Sequence, residues 1–235
     1  AAMAGNLEIA NLLLQAGANP AASWSQDECQ PLHFAAMNKN LAMMKLLLDH
    51  GAPLEHRFGL CDQRSANALH QACILGHMEM VKLLLERGAQ LEAWGHYGTP
   101  LGFAIHAGNV EVVRFLLEKG ADANVTVPLF VLITASDAPT RATPLYVAMG
   151  LRHPRCMLVA EGRPPERWEG LPLCDRRKQL MALLMAYGAS KEGVMATITQ
   201  YVKPLAEAAL YSEEEYLQII AGMFKEAEEA IPEVV

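Results

Sequence analysis

Leucine-rich runs that end in Gly-Ala punctuate this chain. Leu12-Leu13-Leu14 leads to Gly17-Ala18, Leu46-Leu47-Leu48 to Gly51-Ala52, and Leu83-Leu84-Leu85 to Gly88-Ala89. Phe115-Leu116-Leu117 and Leu183-Leu184-Met185 repeat the pattern before Gly120-Ala121 and Gly188-Ala189. The glycines stand 34, 37, 32 and 68 residues apart. A second signature precedes four of the runs: Gln30-Pro31-Leu32-His33, Asn67-Ala68-Leu69-His70, Thr99-Pro100-Leu101-Gly102 and Thr143-Pro144-Leu145-Tyr146. From its Leu to the next Gly is 19 residues in three units and 43 in the last. The doubled spacing is therefore one interrupted repeat, carrying about 24 extra residues, and not a missing one.

Each unit spells a pair of helices. An oxygen-bearing side chain ahead of Pro is a helix start, because it caps free N–H groups and Pro costs nothing at the first helical position. Small residues follow (Ala35-Ala36, Ala72-Cys73, Ala104), which allows close helix approach, and Asn40, Gly76 or Gly108 then breaks the chain. The second helix places Val81, Leu84, Leu85 and Val113, Leu116, Leu117 at the i, i+3, i+4 spacing of a buried stripe. It closes on a left-handed glycine such as Gly88 or Gly120. One helix pair cannot bury its apolar face alone, so neighbours must stack.

These residues resemble the ankyrin repeats. The likeness covers Ala1 to about Ser190 and is closest at Gly98-Thr99-Pro100-Leu101, Gly108-Asn109-Val110-Glu111-Val112-Val113 and Gly120-Ala121-Asp122-Ala123-Asn124. Ala68 for Pro, and Gly102 and Tyr146 for His, depart from the family pattern. The resemblance implies an all-α solenoid of stacked helix-turn-helix units with hairpin fingers. Repeats are expected at about 1–24, 25–61, 62–93, 94–137 and 138–190, the last with an insertion at 151–175. Residues 191–235 are expected to form a helical C-terminal cap. The first repeat begins at its first helix with no finger and no initiator Met, so the chain reads as a fragment of a longer one, and the fragment is expected to be monomeric.

Two segments break the rule. Val125 to Thr134 is rich in β-branched and aromatic residues and is expected to be an extended ribbon; it either folds back on the fifth repeat or stands as an apolar ridge for a partner. The insertion carries Arg152, Arg155, Arg163 and Arg167 with three prolines and Trp168. It is a loop, packed on the array or binding a partner. Past Ser190, short helices are expected over 193–203 and 204–210. Ser212-x-x-Glu215 is a capping box for an amphipathic helix with Tyr216, Leu217, Ile220, Phe224 and Ala227 near one face. Its glutamates are expected to face the arginine insertion while its apolar face packs on the fifth repeat.

Composition narrows the function. The 235 residues are 52% hydrophobic and 19% charged, enough for a core and too apolar for global disorder. A net charge of −7 argues against general nucleic-acid binding, and most of it sits in the last two dozen residues. The charge-free apolar stretch between Asp122 and Asp137 is too short to span a bilayer, and no signal-peptide pattern opens the chain. Five cysteines without a Cys-x-x-Cys pair suit reduced thiols in an intracellular protein, cytoplasmic or nuclear.

Candidate chemistry is sparse. His70, Cys73 and His77 share a helical face, yet the resemblance gives His70 a structural role, and His50, His56 and Cys61 meet only by accident of loop shape. No metal, cofactor or catalysis is expected, since no phosphate loop, nucleophile elbow or HExxH is present. The resemblance puts binding on the concave face instead. Its finger positions are Trp24, Arg57, Phe58, Arg64, Trp94, His96 and Tyr97. Its inner-helix positions are Met3, Met37, Asn38, Ile74, Leu75 and His106. Trp, Tyr, Met and Arg are the types enriched at protein interfaces. The expected function is a protein–protein interaction module for a protein or peptide partner. The alternative is an intramolecular regulatory or substrate-recruiting domain of a larger enzyme or ubiquitin-ligase adaptor. Asn124, in Gly-Ala-Asp-x-Asn, also resembles asparagines that undergo hydroxylation in this family.

Overall fold

The computed structural model describes residues 1–23, 29–58, 66–95, 98–125, 127–129, 140–149, 175–196 and 213–234. Trp24, Arg64, His96, Tyr97, residues 130–134 of the expected ribbon, most of the insertion and the helices expected over 197–210 lie outside them. Two compact units are present, Ala1–Ala121 and Asp122–Val235.

The first unit is two layers of helices. The inner layer is α2 (Pro31–Met37), α4 (Ala68–Leu75) and α6 (Pro100–Ala107). The outer layer is α1 (Leu7–Gln15), α3 (Leu41–Asp49), α5 (Met78–Glu86) and α7 (Val110–Glu118). Each inner helix packs on the outer helix that follows it, and neighbours pack along each layer, α2 on α4 on α6 and α1 on α3 on α5 on α7. The chain enters through a turn over residues 2–5, where a first helix was expected.

Small residues make the inner layer dense: Ala35, Ala36, Ala68, Ala72, Cys73 and Ala104 are all fully buried. The outer helices supply the larger apolar groups, Met43, Met44 and Leu47, then Met80, Val81 and Leu84, then Val112, Val113 and Leu116. Each large side chain so buried stabilises the fold by about 1.5–3 kcal/mol. Leu85, expected in this stripe, is half-exposed, and Leu83 takes the buried place. On α1 only Ala10 is buried.

Left-handed residues end the helices. Gly5, Gly76 and Gly108 take positive φ before the outer helices, and Gly17, Gly51, Gly88 and Gly120 after them. At Gly76 a Cβ would meet the Asn109 side chain at 2.9 Å, so this glycine serves a close approach as well as a turn. Asn109 Nδ2 donates there to the carbonyls of Cys73 (2.8 Å) and Ile74 (3.0 Å), closing the end of α4 from the next repeat.

The second unit opens with an antiparallel ribbon of β1 (Val127–Leu129) and β2 (Thr140–Ala142), in register Val127 to Ala142 and Leu129 to Thr140. Extended backbone therefore runs where the β-branched residues begin. α8 (Pro144–Met149), α9 (Asp175–Ala186), a helical stretch at 191–196 and α10 (Glu213–Val234) follow. α9 packs on both α8 and α10. α10 buries Ile220, Phe224 and Ala227, as its periodicity requires, and leaves Leu217 half-exposed. Its Glu226 and Glu228 pair with Lys178 (3.0 Å) and Lys191. Arg152, Arg155, Arg163 and Arg167 lie outside the described residues, and Arg176 and Arg177 are exposed. Among the described residues no helix is long and apolar enough to cross a membrane.

Candidate functional site

The fingers are held from beneath by histidines. Gln30 N–H donates to His33 Nδ1 (3.0 Å), so the proton sits on Nε2, which donates to the His56 carbonyl (2.9 Å). His70 repeats the arrangement: Asn67 N–H to Nδ1 (3.1 Å), and Nε2 to the Ala93 carbonyl (2.9 Å). Burial, opposed by the backbone hydrogen bonds, lowers both pKa values from 6.5 to about 4 and keeps the rings neutral. With both nitrogens engaged, His70 has no lone pair for a metal. Cys73 is fully buried, and burial pushes its thiol well above the usual range. Among the described residues no three His, Cys, Asp or Glu side chains converge as metal ligands would.

A carboxylate ties the fingers to each other. Glu55 Oε2 accepts from Asn67 Nδ2 (2.9 Å) and Glu55 Oε1 from Gln90 N–H (2.7 Å), joining finger two, the cap of α4 and the start of finger three. In the second unit Asn124 stands at the same offset from its Gly-Ala. Its Oδ1 accepts from Ser190 N–H (2.7 Å) and its Nδ2 donates to the Gly188 carbonyl (2.9 Å). Asn124 N–H bonds the Asp122 carboxylate (2.8 Å). The oxygen at this position catches the next repeat's backbone, whichever acid or amide supplies it.

On this frame the expected binding residues fall into two rows. The histidine spacing aligns Met37, Ile74 and His106 as equivalent positions on three adjacent inner helices; Met37 and Ile74 are half-buried and His106 is exposed. Leu75, next to Ile74, is half-buried. The second row is Arg57 and Trp94, each one residue past a carbonyl strapped by histidine. Arg57 is exposed and Trp94 is 39% exposed, large for an indole beside the buried Ala93. Finger three closes just beyond, with Gly95 and Gly98 paired at 2.7 and 3.1 Å.

Two expected contact residues also hold the fold. Phe58 packs its ring 4.4 Å from that of His33 and pairs its backbone with Ala66, so it braces finger two. Asn38 is exposed, but its Nδ2 donates to the Met3 carbonyl (3.0 Å), a tie to the preceding repeat. Met3 is 61% exposed.

Glu55 escaped the sequence reading. Its signal was positional, the Gly-Ala offset it shares with Asn124, hidden because the two residues differ in type.

Among the described residues the arrangement offers a surface of aromatic, cationic and apolar groups. A family model described as ankyrin repeats (3 copies) matches residues 52–127, and one described as ankyrin repeats (many copies) matches residues 1–48, together just over half of the chain. No curated protein matches the sequence.

Proposed function

The chain belongs to the ankyrin-repeat family, and from that premise we propose that it binds a protein or peptide partner across its fingers and inner helices. Repeats of this family are generally protein–protein interaction modules and typically not catalytic. One observation carries the reading for this chain: Trp94 is held out to solvent on a finger whose backbone His70 and Glu55 both pin. An exposed aromatic costs least to bind when its backbone is already fixed, because little ordering remains to be supplied. Arg57 shares its row, and Met37, Ile74, Leu75 and His106 supply the floor. Trp24, Arg64, His96 and Tyr97 belong to the same surface on sequence grounds.

The test is Trp94→Ala with Arg57→Ala in one chain. Affinity for a captured partner should fall by more than about 2 kcal/mol, as for central hot spots, with helical content unchanged. Equal affinity would move the site off the fingers. The wider reading comprises a repeat array over 1–190, a C-terminal cap over 191–235 and an intracellular setting, the last supported by the fully buried thiol of Cys73. Asn124 hydroxylation belongs here too. The staple made by its side chain explains the residue without modification, so mass spectrometry of native protein decides: an Asn124 peptide without an added oxygen ends that idea.

A further inference from the structure

Of the seven large apolar side chains exposed among the described residues, five lie between Met3 and Leu13. Three of them, Ile9, Leu12 and Leu13, fall within about 100° of one another around α1 and make one apolar face. Their counterparts follow from the closing glycines. Eight residues before each glycine stand Ile9, Met43, Met80 and Val112, and four before it stand Leu13, Leu47, Leu84 and Leu116. In the second to fourth repeats these positions are no more than 2% exposed, against 49% for Ile9 and 48% for Leu13.

The neighbour makes the difference. α3, α5 and α7 each pack on the inner helix ahead of them, α2, α4 and α6, whereas α1 follows only the Ala1–Gly5 turn. That turn has the bonding of an inner-helix end. Gly5 N–H donates to the Ala2 carbonyl (3.1 Å) and Asn6 N–H to the Ala1 carbonyl (3.3 Å). Lys39 and Asn40 donate in the same way to Ala36 and Ala35, Gly76 and His77 to Cys73 and Ala72, and Gly108 and Asn109 to Ile105 and Ala104. Ala1 and Ala2 thus hold the places of Ala35-Ala36 and Ala72-Cys73, and Met3 falls in the row of Met37, Ile74 and His106.

We propose that the α1 face is a docking surface for a helix of the inner type, one that runs into Ala1 and lays a leucine and paired small residues over Ile9 and Leu13. Leu32, Leu69 and Leu101, with the small residues that follow them, play that part on α3, α5 and α7. A second copy fits worse. Its exposed helix is another α1, which would set Leu and Ile where the other repeats place alanine. Docking builds a fourth inner helix and carries the proposed binding floor on to Met3, whose carbonyl Asn38 Nδ2 already holds (3.0 Å). That extension rests on the finger and inner-helix reading above; the docking itself does not.

The test joins Gln-Pro-Leu-His-Phe, the sequence of Gln30 to Phe34, ahead of Ala1 in the full chain. The extended chain should melt about 3–6 °C above the parent. The Leu12 and Leu13 amides should exchange about ten-fold more slowly. Leu13→Glu should cost little in the parent, where the side chain is half-exposed, and should cancel the gain in the extended chain. No gain, or a gain that Leu13→Glu leaves intact, would overturn the proposal. So would sedimentation equilibrium that finds the parent a dimer and its Leu13→Glu variant a monomer, since the face would then belong to a second copy. Because every readout is folding or assembly, failure here leaves the Trp94 and Arg57 site untouched.

Discussion

Lowering the pH should unfasten the finger straps, and the structure sets the size of the effect. His33 and His70 titrate near pH 4 in the folded chain and near 6.5 when exposed. Between those values the unfolded chain binds two protons that the folded chain refuses. Stability is therefore complete above pH 6.5, falls as pH drops toward 4, and stops changing on this account below 4. Each gap is worth about 3 kcal/mol at 1.36 kcal/mol per pH unit, and the steepest slope is about 2.7 kcal/mol per pH unit for the pair. Against a typical total of about 5–15 kcal/mol this decides whether the unit folds at mild acidity. The assay is urea unfolding followed by circular dichroism from pH 7.5 to 4.5, in the parent chain and in His70→Gln. At pH 7.5 the substitution should cost about 1–3 kcal/mol by leaving the Asn67 N–H and Ala93 carbonyl without their partner. The parent's lead should then shrink by about 2–3 kcal/mol by pH 4.5. Carboxylates titrate in both chains and largely cancel in the difference. A lead that stays constant across this range would refute the strap as drawn.

Glu55→Ala should cost about 1–3 kcal/mol and speed hydrogen exchange at the Gln90 amide, with Glu55→Gln intermediate because it keeps one acceptor; unchanged exchange would show that the staple is not made. Thr99 is buried and its hydroxyl has no hydrogen-bond partner among the described residues, so Thr99→Val should be neutral or stabilising by up to about 1 kcal/mol in a thermal melt; a loss would reveal a missed partner. Phe224→Ala should destabilise the second unit by about 3–5 kcal/mol, even at high salt, whereas Lys178→Ala should leave its melting temperature nearly unchanged; the reverse order would make charge the main hold on α10.

Periodicity carried most of the fold because each signal in it is local. A cap, a proline, a run of leucines and a left-handed glycine act within four residues of themselves, so Leu84, Val113 and Leu116 could be placed in the core from spacing alone. The errors came where the deciding contact is remote. Leu83 and Leu85 are alike in type, so the residues alone could not say that Leu83 is buried and Leu85 half-exposed. The glutamates of α10 pair with Lys178 and Lys191, neither of which belongs to the arginine insertion at 151–175.

The proposed binding surface was open to sequence reasoning in its positions but not in the orientation of its side chains, for the same reason. Finger positions follow from the family resemblance, which put Arg57 and Trp94 among them. Whether a finger side chain faces a partner or braces its own repeat depends on a ring 25 residues upstream, as with Phe58 on His33. An aromatic residue in a finger is thus ambiguous until the strap beneath it is seen. Where the preceding helix supplies a histidine, the ring two residues past the strapped carbonyl can stack on it, and the residue one past is left outward. Phe58 and Arg57 stand in that relation above His33. Above His70 the stacking place falls to Gly95, and Phe103 covers the histidine ring instead, at 4.5 Å. Trp94, one past the strapped carbonyl, is consequently left outward with no stacking place on His70.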